Sequence, residues 1–374
     1  MLADPISANA DYFKQYSNLY FCRLNQAKKN LTQLEALAKV SDICNHSGQQ
    51  VHVIGTVFQD KKVHDYSKVE ELEYLDTYYL EDEYSRIALN RNNIVLISGS
   101  VVGIRGIVDD DVLVVEEVVY PYMPSDIERV KSVKFDQPWI LLISGLELEH
   151  LDNAIQLDTL YHLLIGNNKS FPKDVLEQIS TIAIVGNSFH KLTENSISMM
   201  NNFIGNISKY HKVLLVPSNS DPTSVSWPNK AIPKQLFPKA TSSVTSVENP
   251  ARFKVNDFEV IFESGDALNN IYAILNKNNT SVTKDEIAQL LIKCRHLAPC
   301  CPDTLPCIPS FDSDPLYLTN IPDLLIIGNQ DKASLQQIGS CTIVSIPSFT
   351  ESGSVVLYNM EKKALKTISI NKSF

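Results

Sequence analysis

A chain of 374 residues that is 44% apolar has enough sequence for two or three cores and is too apolar to be intrinsically disordered. Its formal net charge of −10 argues against a protein that holds nucleic acid by itself, because that affinity comes from Lys and Arg displacing phosphate counterions, and leaves room only for a local basic patch. Seven cysteines at irregular spacing, no apolar targeting stretch at the N-terminus and no run long enough to span a bilayer lead to the expectation of a soluble intracellular protein with reduced thiols.

From 12 to 38 the residues Tyr12, Phe13, Tyr16, Leu19, Tyr20, Leu24, Ala27, Leu31, Leu34 and Leu37 recur at steps of three and four. That spacing predicts one apolar stripe along a helix or helical pair, packed into a core. The period then shortens to two, and strands are predicted over 51–58, 77–89, 94–108 and 112–120, with Gly55, Gly99, Gly103 and Gly106 marking bulges or bends. Short strands of this kind predict a closed OB-like barrel. Its aromatic strand Tyr78-Tyr79-Leu80-Glu81-Asp82-Glu83-Tyr84 carries three consecutive acids and follows Glu70, Glu71 and Glu73. Acids repel phosphate, so a structural or protein-binding barrel is favoured over a platform for single-stranded nucleic acid.

Beyond the linker Tyr120-Pro121-Tyr122-Met123-Pro124, strand and helix alternate. Uninterrupted apolar runs predict strands buried on both faces at 139–145, 181–186 and 213–216. Helices are predicted over 151–165 and 193–210, the second with Ile197, Met200, Ile204 and Ile207 on one face. A proline-punctuated loop runs from Pro217 to Pro250, followed by a strand at 258–262, a helix from Asp266 and a helix opened by the capping box Thr283-Lys284-Asp285-Glu286. Strands at 323–327, 341–346, 354–358 and 365–370 complete a layered α/β sandwich. The expected organisation is an N-terminal helical segment 1–44, an OB-fold domain 45–125 and an α/β sandwich 126–374.

A sandwich of this type can hold two cations at the ends of its strands, where Asp, Asn and His converge from several loops. Dinuclear phosphoesterases carry Asp-x-His after the first strand, Gly-Asp after the second, Gly-Asn-His-Asp/Glu after the third, then a lone His and a Gly-His-x-His. Here Ser144 and Leu146 stand for the first pair and Gly186-Asn187 for the second. Ser218-Asn219-Ser220-Asp221 keeps the Asn and the acid without the His, His296 stands for the lone His, and Gly328-Asn329-Gln330-Asp331 replaces the last motif. Without the bridging carboxylate and the imidazoles, two adjacent dications lack charge compensation, and the expectation is a degenerate metallophosphoesterase framework with no catalytic residues.

Several motifs together resemble one family. Arg295-His296-Leu297-Ala298-Pro299-Cys300-Cys301-Pro302-Asp303-Thr304-Leu305 is similar to its Arg-His-x-x-Pro-x-x-Pro-Asp-Thr-Leu motif. Glu81-Asp82-Glu83 followed by Arg86-Ile87 is similar to its barrel strand, and Tyr12-Phe13, Gln15-Tyr16, Tyr20 and Arg23-Leu24 to its N-terminal helix. Asp221-Pro222-Thr223 opens a matching proline-rich loop. The chain thus resembles the small B subunits of replicative DNA polymerases, delta type: an OB fold joined to an inactive calcineurin-like phosphoesterase. The Pro-Asp-Thr-Leu motif is the reason for preferring delta over the alpha and epsilon types. The resemblance implies a nuclear, non-catalytic accessory subunit without a cofactor of its own. It would bridge the cysteine-rich C-terminal metal module of the catalytic subunit to a third subunit in DNA replication and repair, reaching the sliding clamp indirectly and DNA only through the complex.

Other features have plainer readings. Cys294, Cys300, Cys301 and Cys307 match no paired Cys-x-x-Cys spacing and are read as chance clustering on a structured loop. His296, beside Arg295 and near Asp303, is read as a hydrogen-bonding brace. Ser144 and Ser188 lack a Gly-x-Ser-x-Gly elbow. An active metal-dependent phosphoesterase or exonuclease and a single-stranded DNA-binding barrel remain the alternatives to a scaffold.

Overall fold

A computed structural model describes residues 2–4, 16–31, 38–63, 72–122, 134–150, 154–166, 173–255, 257–277, 280–310 and 312–370. Tyr12, Phe13, Leu34, Leu37, Glu70, Glu71 and the linker residues Met123-Pro124 lie outside these. The first elements in chain order are β1 (Leu2–Asp4), α1 (Ser17–Lys28), β2 (Gln50–Val63), β3 (Leu72–Glu81), β4 (Arg86–Asn90), β5 (Val101–Asp109) and β6 (Val112–Val119). Next come β7 (Trp139–Ile143), α2 (Ala154–Leu164), α3 (Lys173–Glu177), β8 (Ile179–Val185), α4 (Glu194–Ile207), β9 (Val213–Val216), β10 (Val244–Ser246), β11 (Ala251–Val255) and β12 (Phe258–Glu263). The chain ends with α5 (Asp266–Lys277), α6 (Lys284–Lys293), β13 (Leu324–Gln330), β14 (Ser334–Ile338), β15 (Cys341–Pro347), α7 (Phe349–Ser352), β16 (Ser354–Asn359) and β17 (Ala364–Ser369).

Two compact units result. One consists of Met1–Ile6, Glu128–Asp266 and Pro322–Phe374; the other of Ser7–Ile127 and Ala267–Ile321. Contacts therefore group 267–321 with the barrel, and residues 2–4, expected in a helical segment, form a strand of the sandwich.

In the barrel unit, strands β2-β3-β4-β6-β5 close on themselves around Val53, Val57, Tyr78, Leu80, Ile104, Leu113 and Val115. The strand expected over 77–89 is a hairpin, because Asp82 Oδ1 accepts the N–H groups of Tyr84 and Ser85 and turns the chain. Gly106 sits at a register shift between β5 and β6, where a Cβ would lie 2.2 Å from the Val114 carbonyl oxygen. A side chain there would block the bulge that bends the barrel.

Helix α1 lays Leu24 and Ala27, with Leu31 beyond its end, against Ile54, Val101, Val119 and Tyr317. On the same stretch Arg23 is 1% exposed. Its Nε donates to Asp314 Oδ2 at 2.7 Å, Nη1 donates to the carbonyls of Gly99 (3.0 Å) and Pro299 (2.9 Å), and Nη2 donates to Cys301 O (3.0 Å). His296 Nε2 lies 2.8 Å from the same Asp314 oxygen, while its Nδ1 accepts the Ala298 N–H at 3.1 Å. An accepting Nδ1 places the imidazole proton on Nε2, which donates to Asp314. Burial holds His296 below its ordinary pKa against the pull of Asp314. Burial alone would raise the Asp314 carboxyl, but His296 and Arg23 together hold it well below the usual carboxylate range.

The sandwich unit stacks two six-stranded sheets, β1-β11-β12-β13-β15-β14 and β10-β9-β8-β7-β16-β17. Side chains alternate along β7: Ile140 and Leu142 enter the core between the sheets with Val185, Val260, Phe262 and Ile326. Leu141 and Ile143 face α2 and α4, with Leu160, Met200 and Ile204. Burial on both faces is the reason these strands read as unbroken apolar runs. The Thr193–Ser196 and Thr283–Glu286 capping boxes fix the starts of α4 and α6. No helix among the described residues is long and apolar enough to cross a membrane.

Arg23→Met removes the cation from a buried pair and leaves Asp314 uncompensated; the expected loss is about 3–5 kcal/mol of stability, read from the midpoint of urea unfolding. The double variant Arg23→Met/Asp314→Leu should regain part of it, and equal stability of Arg23→Met and the wild type would contradict the assignment.

Candidate functional site

Parallel strands β7, β8, β9 and β13 end in loops that bring together most of the positions singled out in the sequence. Ser144 is fully buried; its Oγ donates to Val185 O at 2.6 Å and accepts the Asn329 N–H at 2.7 Å. Asn187 and Asn329 sit at φ 49° and 52°, a left-handed conformation that Asn tolerates better than most residues. Asn187 N–H donates to Ser218 Oγ at 2.9 Å, and Ser220 Oγ donates to Asn187 Oδ1 at 2.9 Å. Asn329 Nδ2 donates to Ser264 O at 2.8 Å. Gly186 has φ 73°, and a Cβ on it would lie 2.8 Å from Asn329 Nδ2 and 2.9 Å from Ser264 Cβ. Serine and asparagine side chains thus fill the space over the strand ends and bond to one another.

Two carboxylates of this region, Asp221 and Asp266, are already engaged. Asp221 Oδ1 accepts Ser188 N–H and Oδ2 accepts Ser218 N–H, both at 2.8 Å. Asp266 Oδ2 accepts Asn219 N–H and Ser264 O–H, both at 2.9 Å. Burial pushes Asp221 up to about 6 despite its N–H donors, and the charge of Asp266 adds to the rise. Burial raises Asp266 as well. Of the remaining positions, Leu146 is fully buried among Ile143, Leu148 and Phe189, and Asp331 is exposed just past β13. His296 belongs to the other unit, with both ring nitrogens engaged as described. Single motifs did not point to Ser264, to Asp266 as a site residue, or to Asn249, whose Nδ2 donates to Ser264 Oγ at 2.9 Å; Ser264-Gly265-Asp266 at the end of β12 was the available signal, a Gly-Asp pair after an apolar strand.

In the barrel unit, the Arg295–Leu305 segment is built as a brace. Arg295, at φ 53°, donates from Nε to Pro121 O (2.8 Å) and from Nη1 to Thr319 O (3.0 Å). The partner of His296 is Asp314 rather than Asp303; Asp303 Oδ1 instead accepts the Tyr20 O–H at 2.9 Å. Thr304 Oγ1 bonds Asn270 Oδ1 at 2.5 Å, Leu305 is buried, and Pro299 and Cys301 carbonyls receive Arg23; Pro302 follows Cys301 in the same turn. On the barrel, Glu81 pairs with Arg86 at 3.8 Å, Glu83 with Lys28 at 3.5 Å, and Asp82 Oδ2 accepts Val40 N–H at 3.0 Å. Glu81, Asp82, Glu83 and Asp303 line, with Tyr20 and Phe21, a cavity of about 320 Å³.

Residues 140–335 match the sequence profile of a family described as the B subunit of DNA polymerases alpha and epsilon, and residues 15–118 match that of the DNA polymerase delta OB-fold domain. The chain belongs to the B-subunit family of replicative DNA polymerases. Among its relatives, the DNA polymerase delta small subunit of Arabidopsis thaliana is 26% identical over 407 residues, covering 96% of this chain and 91% of that protein. The small subunit of the same name from Saccharomyces cerevisiae is 29% identical over 350 residues, covering 79% and 70%. A solved archaeal phosphodiesterase matches 62% of this chain and 98% of its own, with 9% identity and a TM-score of 0.34. The expected fold class, an OB barrel with an α/β phosphoesterase sandwich, is the fold of this family member.

In the sandwich unit, Asp221 generates a pH signature. Its folded pKa lies above the unfolded value of 3.8, so its contribution to stability is fully present below 3.8 and is lost as pH rises through about 6. Over that window the wild type should lose about 3 kcal/mol relative to Asp221→Asn, whose amide does not titrate and adds a pH-independent offset. Denaturant unfolding at intervals from pH 4 to 7 measures this, and parallel profiles for the two proteins would refute it.

Proposed function

We propose that this chain is a non-catalytic accessory subunit of a delta-type DNA polymerase. The observation that carries the reading is the network at the strand ends: Ser144, Asn187, Ser218, Ser220 and Asn329 bond to one another or to backbone where anionic and imidazole ligands would be needed. The carboxylates of Asp221 and Asp266 accept backbone N–H groups and are pushed toward their neutral forms by burial. Two adjacent dications need the opposite, ionised and converging oxygens. Family membership and relatives named as delta small subunits support the accessory role.

In this reading the chain bridges two proteins in the nucleus during replication and repair: the cysteine-rich C-terminal metal module of the catalytic subunit and a third subunit that leads to the sliding clamp. The acid-lined cavity beside Tyr20 and Phe21 supports a protein partner over phosphate on the barrel, since Glu81, Asp82, Glu83 and Asp303 repel a nucleic-acid backbone. DNA is then reached through the complex.

Two measurements test the proposal. The purified chain with millimolar Mn²⁺ should not hydrolyse phosphodiesters or single-stranded DNA; turnover abolished by Asp221→Ala would overturn it. Co-expression with the metal module and with the N-terminal domain of the third subunit should yield a ternary complex. Replacing the module's metal-binding cysteines should weaken that contact alone, because a module folded by its metal loses its surface with the metal. Failure of both partners to bind, or tight salt-dependent binding of single-stranded DNA by the chain alone, would replace the scaffold with the barrel as the functional element.

A further inference from the structure

The loops after β7 and β8 carry a second polar cluster, three residues beyond Ser144 and Asn187. These loops extend the sheet. Leu148 and Phe189 form a parallel bridge; Glu147 N–H donates to Asn187 O and Leu148 N–H to Ser188 O, both at 3.0 Å, and His190 N–H donates to Leu148 O at 3.3 Å. Glu147 and Glu149 hold left-handed backbone, φ 42° and 76°, which non-glycine residues keep when their surroundings impose it. Glu149 is committed elsewhere, accepting from Thr193 Oγ1 at 2.5 Å and from Asn195 Nδ2 at 3.1 Å at the start of α4.

What the zipped loops present is Glu147, His150 and His190. One donor atom from each lies within 4.8 Å of the others. The two imidazole rings meet edge to face at 87°, with centroids 4.8 Å apart, and Glu147 Oε2 is 3.8 Å from His190 Nδ1. His150 Nδ1 is enclosed without a hydrogen-bond partner, although an enclosed ring nitrogen is ordinarily matched.

We propose that Glu147, His150 and His190 bind one zinc ion, with the remaining coordination left to water. Two imidazoles and a carboxylate are a donor set for zinc; Mg²⁺ and Ca²⁺ take oxygen, and Cu(I) takes sulfur. In a tetrahedral site the donors stand about 3.3 Å apart, so the cluster closes by roughly 1.5 Å, within reach of side-chain rotation at the half-buried Glu147 and the exposed His190. The ion would pin the two loops to each other beyond the ends of β7 and β8. It is mononuclear and lies at positions other than Ser144, Leu146 and Asn187, so it goes beyond the non-catalytic reading.

The test uses the full-length chain stripped with a chelator. Titration calorimetry with zinc should give about one equivalent bound, with Glu147→Gln and His190→Gln each weakening affinity at least about tenfold. Zinc should raise the melting temperature of the wild type and not of His190→Gln. Cobalt should give visible ligand-field bands without a thiolate-to-metal band in the near ultraviolet. Since His190 is exposed, its variant should fold, and metal-free melting curves check this. Absence of binding at micromolar zinc, affinity unchanged in both variants, or a thiolate band pointing to Cys300, Cys301 or Cys307 would each overturn the proposal.

Discussion

A carboxylate taken out of water must be neutralised by neighbours or give up its charge, and Asp314 is held ionised by two. Arg23 arrives on α1, His296 from the turn after α6, and three further guanidinium protons are taken by carbonyls of Gly99, Pro299 and Cys301. Residues 291 positions apart in the chain thus share one charge site. This ties the N-terminal helix, a barrel loop and the 295–314 segment into one unit. Removing any of the three would leave a buried charge or buried carbonyls unmatched, a cost that exceeds most single packing contacts. The grouping of 267–321 with the barrel follows from this, against the order of the sequence.

In the sandwich the governing constraint is different. Strands that end together leave loop N–H groups in a buried crevice, and these must find acceptors. Asp221 serves Ser188 and Ser218, Asp266 serves Asn219, and Ser144 Oγ serves Asn329. Carboxylates engaged by the backbone in this way have fewer lone pairs to offer a cation. Their raised pKa values are the electrostatic expression of the same burial. The crevice is thereby stable as a polar network of short side chains.

Much of this was legible in advance. The unbroken apolar runs of β7, β8 and β9, the capping box at Thr283 and the barrel strands are local signals, set by side-chain period and by hydrogen bonds across three residues. Edges were harder: β14, with alternating half-exposed residues, pairs among the described residues only with β15 and carries a weak pattern, and the Asp82 turn divides what reads as one strand. Arg23 is the clearest case of a residue whose meaning was hidden. It lies beside an apolar stripe, where a long cation ordinarily points to solvent.

The sequence by itself determined the two architectures, the family, and which side chains stand at the strand ends, because hydrophobic period and motif identity are properties of neighbours in the chain. Tertiary structure decided the partners. That His296 pairs with Asp314 and Asp303 with Tyr20, that Asp266 completes the crevice, and that Glu147, His150 and His190 converge depends on loops from distant strands meeting in space. Polar side chains carry no mark of their partner in the local pattern. A hydrogen bond or a ligand set is specified by distance and direction, and those exist once the backbone has closed.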